Sequence, residues 1–534
     1  MSDDSQQSTA PEQKPKVLIN PPVFFTSVAI IAAMVLFSVI VPETAETVFD
    51  NVKARVISDA GWFYVLTVAI IITLVTFLAV SRFGDIKLGK DHSEPDYSYG
   101  SWFAMLFSAG MGIGLMFFGV LEPAYYFGTP WGDAPLGTVR PFGEDGALIQ
   151  ENVAEARRMA LAATSFHWAL HPWAIYAVVA LALALFSYNK GLPLSIRSAF
   201  YPIFGERVWG WTGHIIDTLA VFATLFGLAT SLGIGAQQAN AGINYVYGVP
   251  NTMTVQVLLI CGITAIALVS VLRGLDGGVK VLSEINMVVA MVLLLFVLFT
   301  AGAVGIFTDF ISTLGAYVQE VIPLSNPHGR EDTGYMQGWT AFYWAWWISW
   351  SPFVGMFIAR VSKGRTVREF VTAVLIIPTV ITTVWMSGFG GTALEQIQQG
   401  VGVLAENGLT EVSLATFQMF EGLPLTGIIS FVGIILVLVF FVTSSDSGSL
   451  VIDSITAGGK TDAPTAQRVF WVVMEGAIAA ALIFGGGDDA LGAIQAVAIS
   501  AGLPFTVILL IMTWGLLKGL THERKLLLQR GELL

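Results

Sequence analysis

Residues 342–353 read "FYWAWWISWSPF" and put Trp344, Trp346, Trp347 and Trp350 inside a single apolar stretch. That stretch belongs to a run at 338–360 of roughly 20 residues, the length that crosses a hydrocarbon core about 30 Å thick. With Gln337 as the outer edge, Trp347 lies about 15 Å inward at a rise of about 1.5 Å per residue, close to half depth. Tryptophan belts sit at headgroup level, so an indole at the midplane calls for another explanation. Trp347 and Trp350, one turn apart, share a helix face. Trp346 points about 100° away and is expected to pack against a neighbouring helix. Trp344 fits a belt or lipid-facing position.

Outward from that stretch, the whole chain has the same character. Of 534 residues, 55% are hydrophobic and only 12% charged, with a mean hydropathy of +0.72. A soluble domain carries about 25% charged residues, so the expectation is an all-α polytopic membrane protein. Twelve apolar runs are expected to span, at roughly 22–41, 61–81, 101–120, 158–187, 211–234, 252–272, 280–304, 338–360, 367–388, 425–450, 467–484 and 489–517. Of the 26 Lys and Arg residues, 20 fall in the two tails and in every second loop. That bias places both termini in the cytoplasm and the protein in the plasma (inner) membrane. The polar N-terminal tail leads into a first span without a small-residue cleavage site, so a cleaved signal peptide is not expected. Cys261 is the single cysteine, which removes intrachain disulfides and cysteine metal clusters. The net charge of −12 is spread over loops, and no nucleic-acid partner is expected.

Segment 305–324, "GIFTDFISTLGAYVQEVIPL", is too polar to span, and its apolar residues recur at the spacing of a helix lying on the outer surface. It divides the chain into a cytoplasmic N-tail (1–21), two peripheral spans (22–100), a first five-span set (101–304), the external helix and loop (305–337), a second five-span set (338–517) and a short cytoplasmic C-tail (518–534). The first member of each set is expected to be broken, by "SAGMGIGL" (108–115) and by "SWSPFVG" (349–355). Because five is odd, the second set runs the opposite way up. This is the inverted-repeat, LeuT-like plan of many secondary transporters, with a site at the midplane.

Gly110, Gly112 and Gly114 each weaken a helix by about 1 kcal/mol relative to Ala. They either unwind span three around Met111 and Ile113, freeing carbonyls as ligands, or let helices pack closely. In span four, "FHWALHPWAIY" (166–176) gathers Trp168, Trp173 and Tyr176 where Pro172 can kink the helix. Two aromatic faces at similar depth can box a quaternary ammonium, at about 2 kcal/mol per desolvated contact. No acidic residue occurs within either cluster, which favours a guest that carries its own negative group.

"AGMGIG" (109–114), "HWALHPWAIY" (167–176) and "WAWWISWSPFVGMFIARVSKGR" (344–365) resemble the betaine/carnitine/choline transporter family over almost the whole chain. The resemblance implies an alternating-access carrier of trimethylammonium compounds and related osmolytes, often a homotrimer. It puts Trp168, Trp173, Tyr176 and Trp347 around the ammonium, Trp350 on the inward path, the Gly110–Gly114 stretch at the carboxylate, and Phe117 and Phe357 at gates or along the path. It also implies a sodium site at Thr443 and Ser444, with Phe440 beside it and the carbonyls of Ser108 and Met111 completing the shell. A second sodium would rest on Thr224 and Phe353, but Leu228 stands where the family pattern has another hydroxyl. Sodium ions are thus expected as coupling ions, and no other cofactor is. Choline carriers of the family tend to have an acid where this chain has Gly114. That favours glycine betaine, with choline, carnitine or dimethylsulfoniopropionate as alternatives.

Other readings are weaker. His167 and His171 have metal-pair spacing, but Trp168 replaces the Glu of a zinc-hydrolase motif. "GGKT" (458–461) lacks both the first Gly and the preceding strand of a phosphate loop. Asp217, Glu284, Asp446 and Glu475 fall in or at the ends of spans, where ionisable groups are costly. A channel leaves the hydroxyl-rich "VTSSDS" segment without a task, a sodium-independent exchanger would carry other residues there, and a membrane enzyme lacks a nucleophile–base pair.

Overall fold

The computed structural model describes residues 17–531 except 91, 111, 129–134, 144, 274–279, 408, 410, 461–463 and 488–489. Among the described residues the chain is helical, with two isolated bridges and no strand. In order the helices are α1 (Pro21–Ile40), α2 (Pro42–Val80), α3 (Tyr99–Gly110), α4 (Ile113–Gly128), α5 (Gln150–Trp168), α6 (Leu170–Ala184) and α7 (Tyr201–Phe204). There follow α8 (Trp211–Tyr247), α9 (Met253–Arg273), α10 (Lys280–Ala301), α11 (Ala303–Ser325), α12 (Ala341–Val361), α13 (Val367–Gln399) and α14 (Val403–Asn407). The chain ends with α15 (Ala415–Glu421), α16 (Thr426–Thr456), α17 (Thr465–Gly485) and α18 (Ala490–Arg530).

Local chemistry sets many of these ends. Pro21 and Pro42 occupy first-turn positions, where a missing N–H costs nothing. Thr366 and Glu369 form a reciprocal capping box at the start of α13. Gly248 and Gly400 close α8 and α13 in the left-handed conformation.

Ten helices among the described residues are long and apolar enough to cross a membrane. The sequence predicts twelve, and the two stretches outside that set are the divided α3/α4 and the tryptophan-rich α12. Both line the candidate site. α12 is buried along nearly its whole length, against α6, α8 and α18, and α8 packs along α16. By contrast only about a quarter of α1, α9 and α10 is buried, which makes them the rim of the bundle.

Three expectations need correction. Span eight is not broken at 349–355, because α12 runs through Pro352 without interruption. Pro352 has no N–H for the carbonyl of Ile348, and the Ser351 hydroxyl donates to that carbonyl instead, at 2.7 Å. The break occurs in span four, at Ala169, with φ −95° and ψ −122° between α5 and α6. There the ring of Pro172 would collide with the carbonyl of Trp168, four residues back. The third correction concerns length: α18 continues through most of the segment read as a C-tail, and α2 starts well before the apolar run.

Helix α11 occupies the segment read as an outer surface helix. Its Thr313, Ala316, Tyr317 and Leu324 are buried, and it rests on α5 and α13. Phe307, Ile311, Val318 and Ile322 of the apolar stripe face outward, away from the bundle. Arg157 and Arg158 of α5 hold α11 down, through Asp309 at 2.7 Å and Glu320 at 3.0 Å.

Candidate functional site

The site forms where two breaks meet one long helix. Span three is interrupted between α3 and α4 at the predicted glycines, and span four between α5 and α6. Met111 lies outside the described residues, and of Ser108 and Gly110 only the backbone is described. Gly114, the second residue of α4, lies directly under an indole: a Cβ there would lie 2.5 Å from Trp168 Cη2 and 3.1 Å from Trp346 Cη2. Ile113 packs on Gly235 of α8, where a Cβ would come within 2.8 Å of its Cδ1. Gly112 sits in ordinary contact with Trp350, at 3.8 Å on the same measure.

Trp168, the last residue of α5, meets Trp347 of α12 edge to face, with centroids 4.9 Å apart and planes at 75°. Trp350 continues that series at 6.5 Å from Trp347, and Phe353 lies 5.5 Å beyond it. Trp173 and Tyr176 of α6 form a perpendicular pair at 5.6 Å. Among the described residues no ring contact joins this pair to the Trp168–Trp347 pair. All these rings are buried. Trp350 Nε1 is buried with no partner among the described residues, so this N–H is free to donate.

Of the neighbouring rings one meets expectation and one does not. Trp346 stacks on Trp347 at 4.6 Å and donates to the carbonyl of Gly227 on α8, as a packing residue would. Trp344 is neither belt nor lipid-facing: it is fully buried, stacked on His171 at 5.4 Å. Phe118 reaches Trp168 and Trp346, at 5.9 Å and 6.0 Å. The ring partner of Phe117 is Phe118, at 4.8 Å, and Phe357 lies half-buried further along α12.

The largest omission from the sequence reading is Glu122. It sits on α4, fully buried, and reaches the cluster from another helix. Trp168 Nε1 donates to its Oε2 at 2.8 Å, and the Tyr343 hydroxyl donates to the same oxygen at 2.6 Å. The Tyr126 hydroxyl donates to Oε1 at 2.9 Å, and His167 Nδ1 lies 2.5 Å from it. His167 Nε2 pairs with Thr340 Oγ1 at 2.9 Å, while the His167 carbonyl accepts from Trp347 Nε1 at 2.9 Å. The aromatic cluster is therefore not free of acids. The available signal was an acid in the aromatic run "FFGVLEPAYYF" (117–127), just past the end of span three as read from the sequence. The two histidines do not converge on one point, because His171 pairs with Tyr317 and Ser325.

The residues expected to hold cations are partly placed. Thr443 donates its hydroxyl to the carbonyls of Val439 and Phe440, both at 3.1 Å, and keeps lone pairs for a further contact. Phe440, Thr443 and Ser444 are half-buried on α16, which packs against α4. Thr224 is fully buried and back-bonded to Ala220 at 2.8 Å. Leu228, one turn on, fills the notch at Gly448, where a Cβ would lie 2.2 Å from its Cδ1. The other intramembrane acids have structural partners: Asp217 with Arg197 at 2.5 Å, Asp446 with Ser270 at 2.5 Å, and Glu475 with Ser445 at 2.8 Å. Glu284 is exposed.

The model of the BCCT, betaine/carnitine/choline family transporters, matches residues 22–525. The chain belongs to this family. It is 57% identical over 508 residues to glycine betaine transporter 1 of Vibrio parahaemolyticus, covering 95% of each chain. A glycine betaine/proline/choline/ectoine transporter of the same organism is 53% identical, over 95% of this chain and 88% of that protein. The glycine betaine transporter OpuD of Bacillus subtilis is 42% identical, over 94% and 95%. As a betaine/carnitine/choline family member the protein is a multi-pass membrane transporter and not an enzyme.

Proposed function

We propose that the protein imports glycine betaine by sodium symport through alternating access. The observation that carries this reading is the buried Trp168–Trp347 pair at the break between α5 and α6, with Trp350 beside the interrupted α3/α4. Ring faces hold a trimethylammonium group that has no N–H to donate. Trp173 and Tyr176 form the other wall. The segment from Gly110 through Met111, Gly112 and Ile113 to Gly114, where α3 gives way to α4, receives the carboxylate, supported by the free N–H of Trp350. Phe117 and Phe357 stand along the path. Gly114 favours a zwitterion over choline, because any side chain at this position meets Trp168. Two of the relatives are named for glycine betaine alone and the third for choline among others, so the names agree on glycine betaine without excluding choline.

Sodium binds at Thr443 and Ser444 beside Phe440, with the carbonyls of Ser108 and Met111. A single coupling ion is favoured, since Leu228, one turn on from Thr224, stands where the family resemblance has another hydroxyl and packs its hydrocarbon on Gly448. The chain crosses the plasma membrane twelve times, as two peripheral helices and two inverted five-helix sets, with cytoplasmic termini. The outward apolar stripe of α11 suits contact between copies in a homotrimer.

Uptake into liposomes of labelled glycine betaine, choline, carnitine and dimethylsulfoniopropionate, with sodium or with potassium outside, tests the proposal. Concentrative, sodium-dependent uptake with glycine betaine preferred is expected. Accumulation that persists without sodium overturns the coupling, and downhill equilibration alone favours a channel. Trp347→Ala is expected to raise KM at least about tenfold, the value of losing one desolvated ring contact.

A further inference from the structure

The geometry points to Glu122 as the positioning residue of the aromatic cage and as the buried negative group toward which the ammonium is drawn. This inference rests on the cage reading above. Four donors, Trp168 Nε1, the Tyr343 and Tyr126 hydroxyls and His167 Nδ1, surround the two carboxylate oxygens. Four acceptor positions are what a carboxylate offers, and here each has a donor. With Nδ1 protonated, His167 donates to Glu122 and accepts from Thr340 at Nε2, which completes the network without an unpaired group.

Both cage indoles are fixed from this one point. Trp168 is held through its N–H by the carboxylate, and Trp347 through its N–H by the backbone carbonyl of His167, whose ring is clasped by the same carboxylate. The bond to Trp168 has an electronic consequence as well. An N–H that donates to a carboxylate is charge-assisted, and the donor's ring gains electron density. The face of Trp168 therefore attracts a cation more strongly than a free indole would. Full burial keeps solvent from screening the carboxylate behind it.

A neutral carbon isostere separates this role from scaffolding. 3,3-Dimethylbutanoate has the shape and carboxylate of glycine betaine but a carbon in place of the ammonium nitrogen. Both compounds are assayed as competitors of labelled glycine betaine uptake in proteoliposomes, with wild type, Glu122→Gln, Glu122→Asp and Tyr343→Phe. The wild type is expected to prefer the ammonium compound. Glu122→Gln should reduce that preference about tenfold, as for loss of a charge-assisted bond. Glu122→Asp, which keeps the charge, should retain most of it. Should the glutamine variant not fold, Tyr343→Phe decides: removing a competing donor leaves more of the carboxylate's charge uncompensated and should raise the preference, and a preference no higher than wild type overturns the inference. Parallel weakening of both competitors in Glu122→Gln, with the preference intact, overturns the inference as well and makes Glu122 a scaffold. If the wild type itself shows no preference, the cage reading has failed, which is a different result from an unchanged preference in Glu122→Gln.

Discussion

At the scale of single residues, the site depends on what small side chains permit. Gly114 is the sharpest case, because the space its Cβ would occupy already holds the edge of Trp168. An indole edge cannot yield as a flexible chain end can, and overpacking of this kind costs about 1–3 kcal/mol. Gly114→Ala is expected to displace Trp168 from its bond to Glu122 and to raise KM for glycine betaine about tenfold. Expression and Vmax should change less, and a KM within twofold of wild type would show that Trp168 has another place to go. Gly364 makes a different demand. It sits at φ +83°, and a Cβ there would lie 2.5 Å from the backbone of Glu94. Its alanine variant combines an unfavourable φ with a backbone collision, so loss of folded protein in size-exclusion chromatography is expected.

Among the elements, α12 and the α5/α6 pair show that a proline does not by itself predict a break. Pro352 and Pro172 both fall within a tryptophan-rich span, yet only the second divides its helix. Ser351 supplies the missing donor in the first case, at 2.7 Å from the Ile348 carbonyl. Ser351→Ala leaves that buried carbonyl unpaired at a cost of about 1–3 kcal/mol, so a lower melting temperature in detergent is expected. An unchanged melting temperature would mean that the backbone relaxes to pair the carbonyl elsewhere. This contrast marks how far the sequence could be read. Spacing located the aromatic faces of α5, α6 and α12 and the interruption of span three, because those signals are local. It pointed to a kink at Pro172 without placing the break at Ala169, and it did not bring Glu122 to Trp168. The second result depends on which helix lies beside which, and no period within one helix carries that information. Trp344 fails for the same reason, since it is α5 and α6 that cover it with Phe166 and His171.

For the whole molecule, the proposed symport makes the number of coupling ions decide what gradient it can sustain. Glycine betaine is a zwitterion and carries no net charge, so in that proposal all charge movement belongs to sodium. One sodium ion per cycle gains about 2.3 kcal/mol per 100 mV, and two gain about twice that. With equal sodium on both sides of a liposome and the potential clamped by potassium and an ionophore, the accumulation ratio then depends on potential alone. One ion predicts a tenfold change in the ratio for about every 60 mV, and two predict it for about every 30 mV. Leu228 argues for the shallower slope, since it stands one turn on from Thr224 where the family resemblance has a hydroxyl, and its side chain packs on Gly448. A slope of tenfold per about 30 mV would require a complete second shell at Thr224 and Phe353 in spite of Leu228. A ratio that ignores the potential would remove sodium from the transport cycle, while leaving the aromatic cage to be judged by its own variants.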